Sequence, residues 1–111
     1  MMRIAMSSAA SALLRTLVAR AAVSRDRILL TEAQSIDWQS LTFTGERHYI
    51  DLRVIGRDAA SAVERMCVGL ADAEFSIPGV IVADVGVVGQ PHVAADGSVS
   101  VTIEALTVSE D

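Results

Sequence analysis

From His48 to Ile55 the chain alternates without a break, with Ile50, Leu52 and Val54 at every second position and Tyr49, Asp51 and Arg53 between them. A period of two is the mark of a β-strand with one face buried and the other turned away from the core. A helix cannot use this pattern, because a turn of 3.6 residues scatters the apolar set around its circumference. A second run of the same kind, Ser98 to Val108, sets Val99, Val101, Ile103 and Ala105 against Ser100, Thr102 and Glu104. Half-buried strands need an apolar layer to lie on.

Two segments with helical period supply that layer. Ala10, Leu13, Leu14, Leu17, Val18 and Ala21 recur at spacings of three and four, with Arg15 and Arg20 outside the stripe. After Gly56, Asp58 is placed to cap a second helix carrying Ala59, Ala62, Val63, Met66, Cys67, Leu70 and Ala71, ending near Ala73. Residues 1–25 hold four Arg and no acid, a composition shared with transit peptides and membrane-surface helices, but read here as an N-terminal amphipathic helix. Arg15 and Arg20 interrupt the apolar run well short of the 18 or more residues of a membrane span, so no transmembrane span is expected.

Two further strands complete the pattern. Residues 36–44 are rich in β-formers and run into Thr44-Gly45-Glu46-Arg47, where Gly45 suits the first central position of a type II′ hairpin. That turn pairs Phe43 with His48 and Leu41 with Ile50 on the core face, and Trp38 with Arg53 on the other. Val80 to Val88 reads as a strand opened by Pro78-Gly79 and ended or bulged by Gly89-Gln90-Pro91, and Asp96-Gly97 signals a hairpin into Ser98. Ser109-Glu110-Asp111 reads as a solvated tail.

The order is helix, strand, strand, helix, strand, strand, a tandem αββ repeat without residue-level identity between its halves. It predicts an α+β fold in which residues 1–111 form a single domain, a two-layer sandwich of a four-stranded, mainly antiparallel sheet with both helices on one face. The element order resembles a permuted ferredoxin-like fold. Such folds host many unrelated functions, so the resemblance implies an architecture and no activity.

Composition removes several chemistries. The chain has no Lys and no Asn, and all nine basic residues are Arg, a skew that fits a GC-rich bacterial genome. Schiff-base catalysis and a P-loop lysine are thereby excluded, as is N-glycosylation. Net charge is −5, with eight Arg against five acids in residues 1–57 and one Arg against nine acids in 58–111, which argues against nucleic acid as a partner. Cys67 is the only cysteine, so no intramolecular disulfide and no cysteine-based zinc pattern can form, and a cytoplasmic protein is expected. Neither His48 nor His92 stands beside a nucleophile motif, the carboxylates Asp51, Asp84 and Glu104 lack metal-loop spacing, and Gly86-Val-Val-Gly89 opens no helix. No catalytic residue, metal or cofactor is expected.

What remains is the sheet face away from the helices. It is expected to show Ile36, Trp38, Ser40 and Thr42 beside Tyr49, Asp51, Arg53 and Ile55, with Leu106 and Val108 extending it and a cation–π pair between Trp38 and Arg53. Aromatic and Arg side chains on an uncovered face suit an interface, and two-fold homodimers are the commonest assembly. The expectation is a non-enzymatic interaction or regulatory module, acidic and soluble, that homodimerises through Trp38, Tyr49, Asp51, Arg53 and Leu106. The alternatives are a small-molecule binding domain or minor enzyme with a cleft near Gly89–His92, and a domain anchored at a membrane surface by residues 1–25.

Overall fold

A computed structural model describes residues 4–110; residues 1–3 of the N-terminal segment and Asp111 of the expected tail lie outside the described residues. The first elements are a short strand β1 (Ile4–Ala5) and helix α1 (Ser8–Ala21). Ser7 starts α1: its backbone is extended and its side chain accepts from the Ala10 N–H at 3.2 Å, satisfying one of the free donors of the first turn. Ala22, in the left-handed region at φ 57°, ends it.

A 3₁₀ turn at Arg25–Arg27 leads into β2 (Ile28–Gln39), which pairs antiparallel with β3 (Thr44–Val54). The reversal falls at Ser40–Phe43, where the Ser40 N–H donates to the Phe43 carbonyl at 2.8 Å and the Ser40 hydroxyl accepts from the Phe43 N–H at 3.0 Å. The expected II′ turn at Gly45-Glu46 is therefore not formed. Gly45 lies inside β3, where a Cβ would stand 1.9 Å from the Thr107 carbonyl oxygen, so the residue serves close strand approach and not a turn. Trp38 pairs with Gly45, Ser35 with His48, Ala33 with Ile50 and Leu29 with Arg53, replacing the three expected pairings.

Helix α2 (Ala59–Cys67) is shorter than its apolar stripe: Val68 is extended, Gly69 is left-handed at φ 62°, and Leu70 is carried into the core by a 3₁₀ turn at Leu70–Asp72. Asp58 does not cap it, because its carboxylate is bound by Arg27. The remaining strands are β4 (Val80–Val87), β5 (His92–Val93) and β6 (Val99–Ser109), so Ser109 closes β6 and the expected tail starts after it.

The sheet is open, in the order β1-β2-β3-β6-β4, with β5 also on β6. Among the described residues it has six strands and not four, because β1 and β5, two residues each, add to the long four; β1 runs parallel to β2, which makes the sheet mixed. After β4 the Val88 N–H still donates to Thr102, and β5 resumes pairing at Ser100, so Gly89-Gln90-Pro91 interrupts one line of strand.

Both helices lie on the face that carries Ile50, Leu52, Val54, Val99, Val101, Ile103 and Ala105, and with Leu13, Leu17, Val63 and Met66 these form the core. The two αββ halves mirror each other in detail. Arg20 of α1 donates to the Met66 (2.9 Å) and Val68 carbonyls at the end of α2, while Arg65 of α2 donates to the Ala21 carbonyl (2.9 Å) at the end of α1. Each helix thus supplies the cation that the other's C-terminus favours. The outer strands match as well: β2 bulges between Leu30 and Glu32, and β4 between Val82 and Asp84. One extra residue reverses the alternation, so each bulge turns an acid outward and returns a small apolar residue, Ala33 or Val85, to the core.

Candidate functional site

The face opposite the helices is built from cross-strand rows. At one end Trp38, Gly45, Val108 and Ile81 stand side by side, followed by Ile36, Arg47, Leu106 and Asp84. Next come Gln34, Tyr49, Glu104 and Gly86, then Glu32, Asp51 and Thr102, and at the far end Leu29, Arg53, Ser100 and His92. All five residues singled out from the sequence, Trp38, Tyr49, Asp51, Arg53 and Leu106, therefore share this face.

The face is polarised. Ile36 and Ile81 are 44% and 53% exposed beside half-buried Trp38, Leu106 and Val108, and the β2–β3 hairpin continues the apolar surface through Phe43 and fully exposed Leu41. A cavity of about 500 Å³ opens between the hairpin tip, Ile81 and Ser109. At the other end the charged groups are tied to one another. Arg53 donates to Ser98 (3.0 Å) and pairs with Asp96 (2.8 Å), and Thr102 donates to Asp51 (2.6 Å), while nearer the apolar end Arg47, between Ile36 and Leu106, pairs with Glu104 (3.0 Å). Bonds from the Ser98 hydroxyl and N–H, with Arg53 beside them, hold the Asp96 carboxyl below its ordinary range.

Trp38 does not meet Arg53. Its ring lies over Gly45, within 3.1 Å of where a Cβ would stand, and the missing side chain leaves the space the indole occupies. Its Nε1–H is buried with no acceptor among the described residues. The expected cation–π pair is absent because β2 and β3 pair in a different register, which sends Trp38 and Arg53 to opposite ends of the face. Asp51, Asp84 and Glu104 also fall in different rows, and among the described residues no three His, Cys, Asp or Glu side chains gather where they could hold a metal ion.

On the core side, His48 is fully buried between two hydroxyls, Ser35 Oγ at 2.9 Å from Nδ1 and Thr107 Oγ1 at 2.9 Å from Nε2. Burial lowers the pKa of the imidazole, with Glu46 pulling the other way. A Ser–His contact is one half of a hydrolytic triad, but here the third partner is a hydroxyl, which cannot stabilise an imidazolium as a carboxylate does. Ser35 and Thr107 were missed from sequence; extending the inward series of β6 by one more step of two reaches Thr107, whereas Ser35 required the true register.

His92 is exposed on β5, and three cavities open at the hairpin, between residues 73–76 and 80–82, and between α1 and β2. Cys67 is half-buried against the core, and its desolvation raises the thiol pKa despite nearby Arg20. Among the described residues no helix is long and apolar enough to cross a membrane. Comparison with protein families, with curated proteins and with solved structures finds no match to this chain.

Proposed function

We propose that the protein is a non-enzymatic interaction module that self-associates through the apolar end of its open sheet face. The observation that carries this reading is the uncovered row of Trp38, Val108 and Ile81, flanked by Ile36 and Leu106 and continued by Leu41 and Phe43. A contiguous apolar surface on a face with no covering layer favours burial against a partner. Trp38 adds a second argument. Its buried N–H without an acceptor costs about 1–3 kcal/mol, which a Phe at the same place would avoid. A local rule broken in this way is expected where a residue serves something other than the stability of its own fold.

A second copy is the occupant that fits. Exposed Leu41 at the hairpin tip and the cavity it helps to line beside Ile81 present one continuous apolar patch, and a two-fold contact sets that patch against its own copy. Within this reading Trp38 and Leu106 lie at the centre, Tyr49 borders it, and Asp51 and Arg53 form the polar rim. We read the αββαββ order and the two mirrored halves as a permuted ferredoxin-like two-layer sandwich, and the protein as a cytoplasmic, bacterial one that does not bind nucleic acid.

Light scattering on the purified protein tests the proposal. A dimer at micromolar concentration that becomes a folded monomer on Trp38→Ala, and equally on Leu41→Glu at the fully exposed tip, is the expected result. Circular dichroism confirms folding in both variants. A wild-type monomer at several hundred micromolar overturns the reading.

A further inference from the structure

The two halves differ in the linkers that follow their helices. In the second half residues 68–79 bring Phe75 and Ile77 against the core beside β4. In the first half residues 22–27 are Ala-Val-Ser-Arg-Asp-Arg and offer only Val23. A cavity of about 550 Å³ is left between α1 and β2, lined on the apolar side by Leu14, Val18, Ala22, Ile28, Leu30 and Leu52.

The helix explains the same space. The apolar stripe of α1 is wider than the core it covers: Ala10, Leu13, Leu17 and Ala21 are buried, while Leu14 and Val18 remain half-buried and face the cavity. Ile28 and Leu30 face it from the core side of β2. The volume falls within the range of about 300–1,000 Å³ typical of small-molecule sites.

Charge identifies the occupant. Arg15 and Arg25 line the mouth, both exposed, and among the described residues neither makes an ion pair or a side-chain hydrogen bond. The contrast with their neighbours is sharp. Arg20 and Arg65 cap helices, and Arg27 binds Asp58 and the Ile55 carbonyl. Asp26, next to Arg25 in the chain, pairs with neither. The Ala21 carbonyl at the negative end of α1 is taken by Arg65, so it does not oppose an anion at the mouth. An apolar chamber with two free guanidinium groups at its entrance fits an aliphatic chain ending in an anion, and a carboxylate matches the planar guanidinium fork.

We propose that the cavity between α1 and β2 binds a free medium-chain aliphatic carboxylate, with the chain against Leu14, Val18, Ile28 and Leu30 and the carboxylate held by Arg15 and Arg25. The site lies on the helix side of the sheet and stands independently of the self-association face.

Calorimetric titration with the series hexanoate, octanoate and decanoate tests this. Saturable one-to-one binding is expected, tightening about fourfold for each added methylene. Decyltrimethylammonium, of equal chain length and opposite charge, binds at least tenfold more weakly. The double variant Arg15→Gln/Arg25→Gln, at exposed positions, loses about tenfold in decanoate affinity with an unchanged melting curve. Ala19→Trp, which projects into the cavity from an exposed helical position, abolishes binding. The proposal is overturned if decanoate fails to saturate at millimolar concentration, if chain length has no effect, or if the cation binds as well as the carboxylate. Binding to phosphatidylglycerol vesicles without binding of monomeric decanoate also overturns it, in favour of a membrane-surface role for α1.

Discussion

His48 makes the stability of this protein depend on pH in a window where few other groups titrate. Its imidazole is fully buried, and both nitrogens are engaged, one by Ser35 and one by Thr107. A hydroxyl can donate or accept, so the neutral ring is satisfied in either tautomer and the charged ring could still donate to both oxygens. The hydrogen bonds therefore do not decide between protonation states. Desolvation does, and it lowers the pKa in the folded protein, with Glu46 giving back only part. In the unfolded chain the pKa is about 6.5. Below that value the unfolded state takes a proton that the folded state refuses, so this contribution is complete above about pH 6.5 and is lost as the pH falls towards the lowered folded value. The loss approaches about 1.4 kcal/mol per pH unit, equivalent to a fall of up to about 1 M in the urea midpoint over one unit. Urea unfolding of wild type and His48→Gln, followed by circular dichroism at pH 7.5, 6.5 and 5.5, isolates the effect, because Gln fills the same gap with hydrogen-bonding groups that do not titrate. The wild-type midpoint should drop between pH 6.5 and 5.5 and the variant's should stay nearly level. Parallel pH slopes for the two proteins would refute the assignment.

Gly45→Ala should destabilise the fold by about 3 kcal/mol, at the upper end of overpacking costs, because the added methyl meets the Thr107 carbonyl oxygen at 1.9 Å and the Trp38 ring at 3.1 Å; thermal melting checks it, and an unchanged midpoint would remove the close-approach argument. Asp96 carries its stabilisation above the ordinary carboxylate range and loses it as the pH falls through its lowered folded value, so Asp96→Asn should be less stable than wild type at pH 6, with the gap narrowing as the pH falls below the ordinary carboxylate range, as read by acid titration with circular dichroism.

The periodic parts of the chain were legible because period alone fixes them. Two helices and the alternation of β3 and β6 follow from apolar spacing and are present in the structure, whereas β1, β5 and the early end of α2 at Cys67 were not readable from it. The errors fall where a single residue has two physical uses. Gly45 is equally suited to a II′ turn and to a crowded strand position, and only the distance to Thr107 separates these uses. Asp58 is equally a helix cap and a partner for Arg27, thirty-one residues away in sequence. Neither competition has a local signature. Val68 and Gly69 did carry one, since a Gly within an apolar stripe is a natural stop, and the stripe through Leu70 concealed it.

The open face survived a wrong register for a reason that limits what such reasoning can see. The turn read from sequence sets Trp38 opposite Arg53, and the structure sets it opposite Gly45, a shift by an even number of residues along β3. Because side chains alternate with a period of two, an even shift keeps the face of residues that stay in the strands while changing all their neighbours; Leu41 and Phe43, expected on the core face, lie instead in the exposed turn. Membership of the face was therefore readable, whereas the arrangement across it, apolar at the Trp38 end and ion-paired at the Arg53 end, was not. The cavity between α1 and β2 is the opposite case. It arises from a side chain that is missing, since the linker after α1 has no counterpart to Phe75 and Ile77, and a missing filler is visible only when the two halves of the fold are laid beside each other. Leu14 and Val18 looked like surplus width in a core stripe; they are lining for a space that the core does not fill, and Arg15, one position further round the helix, stands at its mouth with no protein partner among the described residues.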